Sequence, residues 1–273
     1  LMFTSGVGSL VDLPNFAVLV RGLDEWNYTH AYGTEKIVEP RLLEAVRRLA
    51  PTRKVTELRP APWTEGVESD PAGPAARVGV PTLPFPGWFR CTHCNDLAAL
   101  DAHTFAFENA NAHRPHEARS VHHVSTHRGR KPLPVPARFV LACVDGHLDE
   151  FPYVHFVHRG DDCPKTSHPR LRMDDRGGNI GANVELSCVN CGEKRNLRDA
   201  GGERGQENLP RCRARHPHLG RFEEGGCDQR PKVLVLGASN QWFSQTLSVL
   251  AVPESGDDEL RGLVEKVWDE AFA

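Results

Sequence analysis

Apolar residues along the chain come in short bursts broken by turn-forming residues. FAVLV at 16–20, RFVLAC at 138–143, NVELSC at 183–188 and KVLVL at 232–236 are the clearest. Runs this short, bounded by Gly, Pro or Asn, predict strands rather than helices. The first predicts a strand around Phe16–Arg21. The stretch RFVLACVDGHLDEFPYVHFVH, Arg138 to His158, reads as two strands about a Gly-His turn. NVELSCVNCG predicts a strand followed by a knuckle, and KVLVLGASN a buried strand ending in a turn. Two segments carry the helical period instead. In EPRLLEAVRRLA, Pro40 suits a first helical turn and Leu42, Leu43, Val46 and Leu49 form one stripe. In DDELRGLVEKVWDEAFA, Leu260, Leu263, Val264, Val267, Trp268 and Ala271 mark a face to be buried, with Asp257, Asp258 and Glu259 at the N-terminal end. Polar stretches separate these elements. Residues 59–87 are rich in Pro, Gly and Ala and read as a linker. Residues 101–132 hold His103, His113, His116, His122, His123 and His127 among arginines; the spacing forms no tight ligand set, so an irregular polar loop is expected there. Residues 200–230 read as Gly- and Arg-rich loop. The division falls at the linker, giving an N-terminal region 1–87 and a second region 88–273.

Composition adds one constraint. Of 273 residues only 39% are apolar, with 24 Gly and 21 Pro, so something besides core burial has to hold the short strands. The net charge of −3 gives no global argument for nucleic acid. No apolar run approaches the ~20 residues that span a bilayer, and the first residues lack the pattern of an export signal, so no membrane association and a cytoplasmic location are expected.

Eight cysteines in a reducing compartment point to metal rather than disulfides. Cys188-x-x-Cys191 is followed by Gly192, which relieves the backbone after the second thiolate, and Cys212 and Cys227 can complete a tetrahedral site. Zinc is preferred to an iron–sulfur cluster, which uses the same four thiolates. Cys91-x-x-Cys94 is a second half-site. Cys143 and Cys163 would complete it as an all-cysteine set, the favoured reading; His147 in place of Cys163 would make a Cys3His set, and His93 is a weaker candidate. The implied fold is α+β and loop-rich, with short strands, zinc knuckles and a few amphipathic helices.

Catalysis finds little support. A nucleophilic Cys143 with His147 would sit beside Asp145 and Asp149, whose charges raise a thiol pKa. No Walker-type GxxxxGK[ST], GxSxG or HExxH occurs, and four thiolates leave no position for water on a metal. The chain is expected not to be an enzyme. Lys194, Arg195 and Arg198 follow Cys191, and Arg211, Arg213, Arg215 and Arg221 flank Cys212. They are candidates for sequence-independent phosphate contacts, although Glu193, Asp199, Glu203, Glu223 and Glu224 dilute the patch into what can equally be a solvated face.

In order along the chain, SGVGSLVDLP, PRLLEAV, FPGWFRCTHC, RFVLACVDGHLDEFPYVHFVH, CVNCG and LGASNQWFSQTLSVLAVP resemble the DrmB family, accessory subunits of the DISARM anti-phage system, in an unusually short form. The resemblance implies a zinc-binding protein without its own motor that works on DNA beside a superfamily 2 helicase of the DrmA kind. It also matches Cys188, Cys191, Cys212 and Cys227 to the family's metal cysteines. The competing expectation is a zinc-stapled structural module that docks a protein partner and never touches DNA.

Overall fold

The computed structural model describes residues 5–13, 16–29, 31, 35–49, 54–64, 78–109, 119–125, 129, 132–177, 183–237, 246–250 and 262–267. It falls into two compact units, one formed by residues 1–34 and 61–245 and the other by 35–60 and 246–273. The larger unit is mostly strand, arranged in several small antiparallel sheets with few and short helices. The α+β expectation therefore narrows to a mostly β, loop-rich architecture.

The strands follow the apolar bursts. β1 (Leu10–Asp12), β2 (Ala17–Val20) and β3 (Thr82–Pro84) form one sheet in that order. β4 (Trp88–Cys91), β5 (Asp96–Ala99), β8 (Pro134–Pro136), β11 (Leu171–Asp175), β12 (Val184–Cys188) and β13 (Lys194–Asn196) form a six-stranded sheet of order β13-β12-β11-β5-β4-β8. β9 (Phe139–Ala142) lies between β10 (Leu148–Glu150) and β16 (Lys232–Val235). Two hairpins complete the unit: β6 (Phe105–Asn109) with β7 (Arg119–His123), and β14 (Arg215–His216) with β15 (Arg221–Phe222).

β2 and β9 are apolar at every position because both faces are covered. In β2, Val18 packs with Phe16, Phe89, Phe105 and Val121, while Leu19 packs with Phe85, Val140 and Leu148. In β9, Phe139 and Leu141 enter the main core and Val140 and Ala142 the neighbouring one. A strand buried on both sides loses the period-2 alternation and reads as a continuous run. The main core is built on Phe151, Tyr153 and Phe156, all 0% exposed, with Leu171, Met173, Leu186 and Leu197 around them. Tyr153 keeps its buried hydroxyl satisfied by donating to the Ala137 carbonyl at 3.3 Å.

Several expectations are corrected. β9 and β10 are the two strands expected about the Gly-His turn, but the aromatic run that follows them is not strand: Tyr153–Val157 is a short helix, α2. Tyr153, Phe156 and Val157 stand at i, i+3 and i+4 and all point inward. Pro152 precedes the helix, where a missing amide costs nothing. The His-rich tract is no irregular loop, since β6 and β7 pair across it, from Phe105↔His123 to Asn109↔Arg119; His113, His116 and His127 lie outside the described residues. Part of 200–230 is ordered too, as the one-turn helix α3 (Gly202–Gly205) and the β14–β15 hairpin. β16 is an edge strand and only partly buried.

In the smaller unit, α1 (Pro40–Leu49) starts at Pro40 as expected, with Leu42, Leu43 and Val46 half-buried and Leu49 exposed. Glu39, just before it, is buried and accepts from the Arg41 guanidinium at 2.8 and 3.0 Å. Residues 262–267 are helical, but Leu263, Val264 and Val267 are 61%, 58% and 61% exposed. The buried face expected there is open to solvent; Leu260, Trp268 and Ala271 lie outside the described residues.

Candidate metal centres

The eight cysteines do not group as their order suggests. Cys143 and His147 meet Cys212 and Cys227; Cys163 and His158 meet Cys188 and Cys191; Cys91 and Cys94 meet His123. The set Cys188, Cys191, Cys212, Cys227 is therefore not one site, and Cys91 and Cys94 are completed by neither Cys143 nor Cys163. Nearness in sequence was the misleading cue. β12 delivers Cys188 to the main core, beside α2, while Cys212 and Cys227 cross to the turn after β9.

The first centre is built on a hairpin. Cys143 directly follows β9, and the turn closes with the Gly146 amide on the Cys143 carbonyl (3.2 Å) and the Cys143 amide on the His147 carbonyl (3.1 Å). Gly146 sits at φ +87°, where a side chain would be strained. The turn thus points Cys143 Sγ at His147 Nδ1, 3.3 Å away, with Cys227 Sγ at 4.0 Å. His147, 3% exposed, places Nε2 against Glu223 Oε2 at 2.6 Å. The Ala214 amide donates to Cys212 Sγ at 3.3 Å.

The second centre lies against the main core. Cys188 ends β12 and opens a knuckle in which the amide of Gly192, a residue at φ +84°, donates to the Cys188 carbonyl at 2.9 Å. Cys163 Sγ is 3.8 Å from Cys188 Sγ, and Cys191 Sγ is 3.4 Å from His158 Nε2. His158 holds its other nitrogen, Nδ1, 2.7 Å from the Val154 carbonyl one turn back along α2.

Both sets fit a tetrahedral ion. A Zn–S bond of about 2.3 Å places two thiolates about 3.8 Å apart, against the 3.8 and 4.0 Å found. The histidines fit as well. A nitrogen facing a carbonyl or carboxylate carries the proton, which leaves the lone pair on the nitrogen facing the thiols. These residues can hold a metal ion, each set offering three thiols and one imidazole. The sulfurs are not alike in charge. Burial pushes the Cys212 thiol up to about 12. At Cys163 burial is outweighed by the Lys165 and Thr166 amides and the neighbouring thiols, which bring it down to about 7. In the third group burial raises Cys94 to about 11.

Sequence reasoning held His147 as an alternative ligand but missed His158 and His123. His158 stands five positions before Cys163, a usable signal once α2 is seen as a helix. His123 offered none, since only the β6–β7 hairpin brings it to Cys91 and Cys94.

The basic residues are largely engaged within the chain. Arg213 donates to Asp149 at 2.6 and 2.8 Å, and Arg215 to the same carboxylate at 2.9 Å. Arg195 lies 4.3 Å over the Phe156 ring and donates to the Phe156 carbonyl at 3.0 Å. Lys194 pairs with Glu185 at 3.3 Å, Arg198 lies 3.9 Å from Asp199, and Arg211 donates to the Asp228 carbonyl at 3.2 Å. Arg221 is exposed on β15.

Residues 1–243 match the model of a family described as a domain of unknown function, DUF8724. The chain belongs to that family. It is also similar to the DISARM protein DrmB of Bacillus paralicheniformis, with 30% identity over 124 residues, 45% of this chain. The match covers 21% of that relative's length. The likeness supports a DrmB-like relationship for the DUF8724 chain. Among the described residues no helix is long and apolar enough to cross a membrane.

Proposed function

We propose that the chain is a non-catalytic, metal-stapled accessory module of a DISARM-type anti-phage complex, and that it acts by docking to a helicase subunit of the DrmA kind. The observation that carries this reading is the pair of four-ligand Cys3His sets, in a chain similar to DrmB. With four protein ligands each, neither set keeps a position for a reacting water, as structural zinc sites do not. Zinc is the ion this donor set suits, since thiolates with imidazole in a tetrahedron select it over magnesium or calcium. At each set the chain's own residues do the holding. Glu223 and the Val154 carbonyl orient the imidazoles, and the Ala214, Lys165 and Thr166 amides donate to the thiolates.

Direct DNA contact is the second reading. Lys194 and Arg198 favour it, with side chains 64% and 71% exposed. Arg213 and Arg215 do not, because both are already bonded to the Asp149 carboxylate, and freeing them for phosphate would cost that pairing.

The test is co-expression with the helicase subunit, followed by affinity capture, metal analysis and gel shifts at two salt concentrations. A stable complex with two tightly held zinc ions per chain, and no salt-dependent shift by the chain alone, supports the docking role. No complex, with a shift that weakens steeply as salt rises, favours the DNA role.

A further inference from the structure

Cys91, Cys94 and His123 form the third convergent group, their donor atoms within 4.8 Å of one another. The turn that carries the two cysteines is built like the one at Cys188–Cys191. There the amide following the second cysteine returns to the first cysteine's carbonyl, and that residue adopts positive φ. Here the Asn95 amide donates to the Cys91 carbonyl at 3.0 Å, with Asn95 at φ +61°. The His93 amide also donates to Cys91 Sγ at 3.4 Å, which fixes the sulfur's direction within the turn. β4 and β5 hold the two ends of this turn, and β7 brings His123 across, 4% exposed. The site is thus a knuckle with an imidazole in reach, buried under its own hairpin.

It differs from the other two in one respect. At His147 and His158 the nitrogen turned away from the thiols faces an acceptor. At His123, Nδ1 accepts the Ser125 amide at 3.0 Å, while Nε2 lies 3.6 Å from Asp96 Oδ2. A metal on Nδ1 would take the lone pair the Ser125 amide now uses. A metal on Nε2 would send the proton to Nδ1, against the same amide. Either way binding breaks that hydrogen bond, and among the described residues only three protein ligands are offered.

We infer that Cys91, Cys94 and His123 form a third metal site, for an exchangeable zinc-class divalent ion, held by two thiolates and one imidazole. Binding releases the two thiol protons to solvent and turns the Ser125 amide away from the ring. The ion's fourth position is filled from outside this set. The site shares Asp96 with the surface, since that carboxylate also receives Arg170 at 3.2 Å and Arg172 at 3.4 Å. Loading and unloading the ion therefore acts on two arginines, 65% and 48% exposed, at the sheet face. This inference rests on the metal-stapled reading only for the two tighter sites.

The experiment uses the full chain, purified under reducing conditions without chelator and then dialysed against zinc. Metal is counted by mass spectrometry during a graded challenge with a competing chelator. Three equivalents are expected, one leaving at a chelator concentration at least tenfold below that needed for the others. His123→Ala and Cys94→Ser should each lack that labile equivalent alone, with an unchanged circular dichroism spectrum. Cobalt reconstitution of the labile equivalent should give a thiolate charge-transfer band about two-thirds as intense as each of the others. Two equivalents in the wild-type chain, or a labile ion that persists in His123→Ala, overturns the third site. Fewer than two tight equivalents overturns the metal-stapled reading instead. If Cys94→Ser does not fold, the wild-type chelator series and His123→Ala still decide.

Discussion

His147 and His158 reach the thiols through different ring nitrogens, and in each case the remote nitrogen decides which. Glu223 holds His147 Nε2, and the Val154 carbonyl holds His158 Nδ1. Glu223→Ala should therefore weaken metal at the first centre by about 10- to 100-fold, the usual cost of losing an orienting partner, while the second centre keeps its ion; competition with a chromogenic chelator measures both. A different residue carries the pH dependence. Glu150 accepts the Gly87 amide at 2.8 Å through one oxygen, while the other is shut away without a hydrogen bond. Burial pushes its carboxyl up to about 7. A carboxyl raised in the folded state holds its proton there after the unfolded chain has released it. Between the unfolded value near 4.5 and the folded value near 7, stability falls as pH rises. The loss at pH 8 is up to about 3 kcal/mol. In Glu150→Gln the melting temperature should lose this decline between pH 5 and 7, and thermal scans across that range would reveal a slope that survives. At this scale the sequence was legible for residue type and not for company. All eight cysteines fell in one of the three groups, but which thiols meet depends on strand pairing, which no local spacing encodes.

The elements were most legible where one physical signal acted alone. Pro40 with its apolar stripe marked α1, and the unbroken apolar runs marked β2 and β9. The failures came where tertiary context intervened. α2 has too few residues for periodicity to stand out from the strand-like run before it, and β6–β7 is polar enough to read as loop. The segment 200–230 hid a packing constraint of its own. Gly205 closes α3 with almost no space above it: an added Cβ would lie 2.3 Å from the Ala200 carbonyl carbon and 2.6 Å from its oxygen. Both are backbone atoms, so no side chain can swing aside. Gly205→Ala should cost about 1–3 kcal/mol by overpacking, although alanine is the better helix former, and thermal denaturation would show the loss. A neutral or stabilising result would mean that this turn moves freely against residues 197–200. β14 illustrates another element held by side chains. Arg215 on β14 and Arg213 just before it clamp Asp149 on β10, so these arginines fasten a two-residue strand that backbone pairing alone would hold weakly.

At the scale of the larger unit, the two four-ligand centres are nested. The ligands of the second, 158 to 191, all lie between His147 and Cys212 of the first. Loop closure does not rank them, because each doubling of loop length adds only about 0.6 kcal/mol. Burial does. Cys163 and Cys188 are 8% and 2% exposed and belong to the main core with Phe156 and Leu186. Cys212 and Cys227 are half-buried, on the segment that carries the β14–β15 hairpin. Losing the second centre should leave buried thiols among the aromatic residues that support both β9 and α2, and so undermine the hairpin that presents Cys143 and His147. Losing the first should release only the 206–231 segment, because Phe151, Tyr153 and Phe156 pack without it. Structural zinc contributes on the order of 10 kcal/mol of apparent folding free energy in small sites, comparable with the whole stability of a typical domain, so the difference should be plain. Cys227→Ser is expected to lose one ion, stay folded and become cleavable between residues 206 and 231. Cys163→Ser is expected to lose both ions and be digested throughout, or not to accumulate as folded protein. Native mass spectrometry with limited proteolysis reads both. If Cys163→Ser keeps the ion of the first centre and stays protected outside 158–191, the centres stand independently and the main core does not couple them.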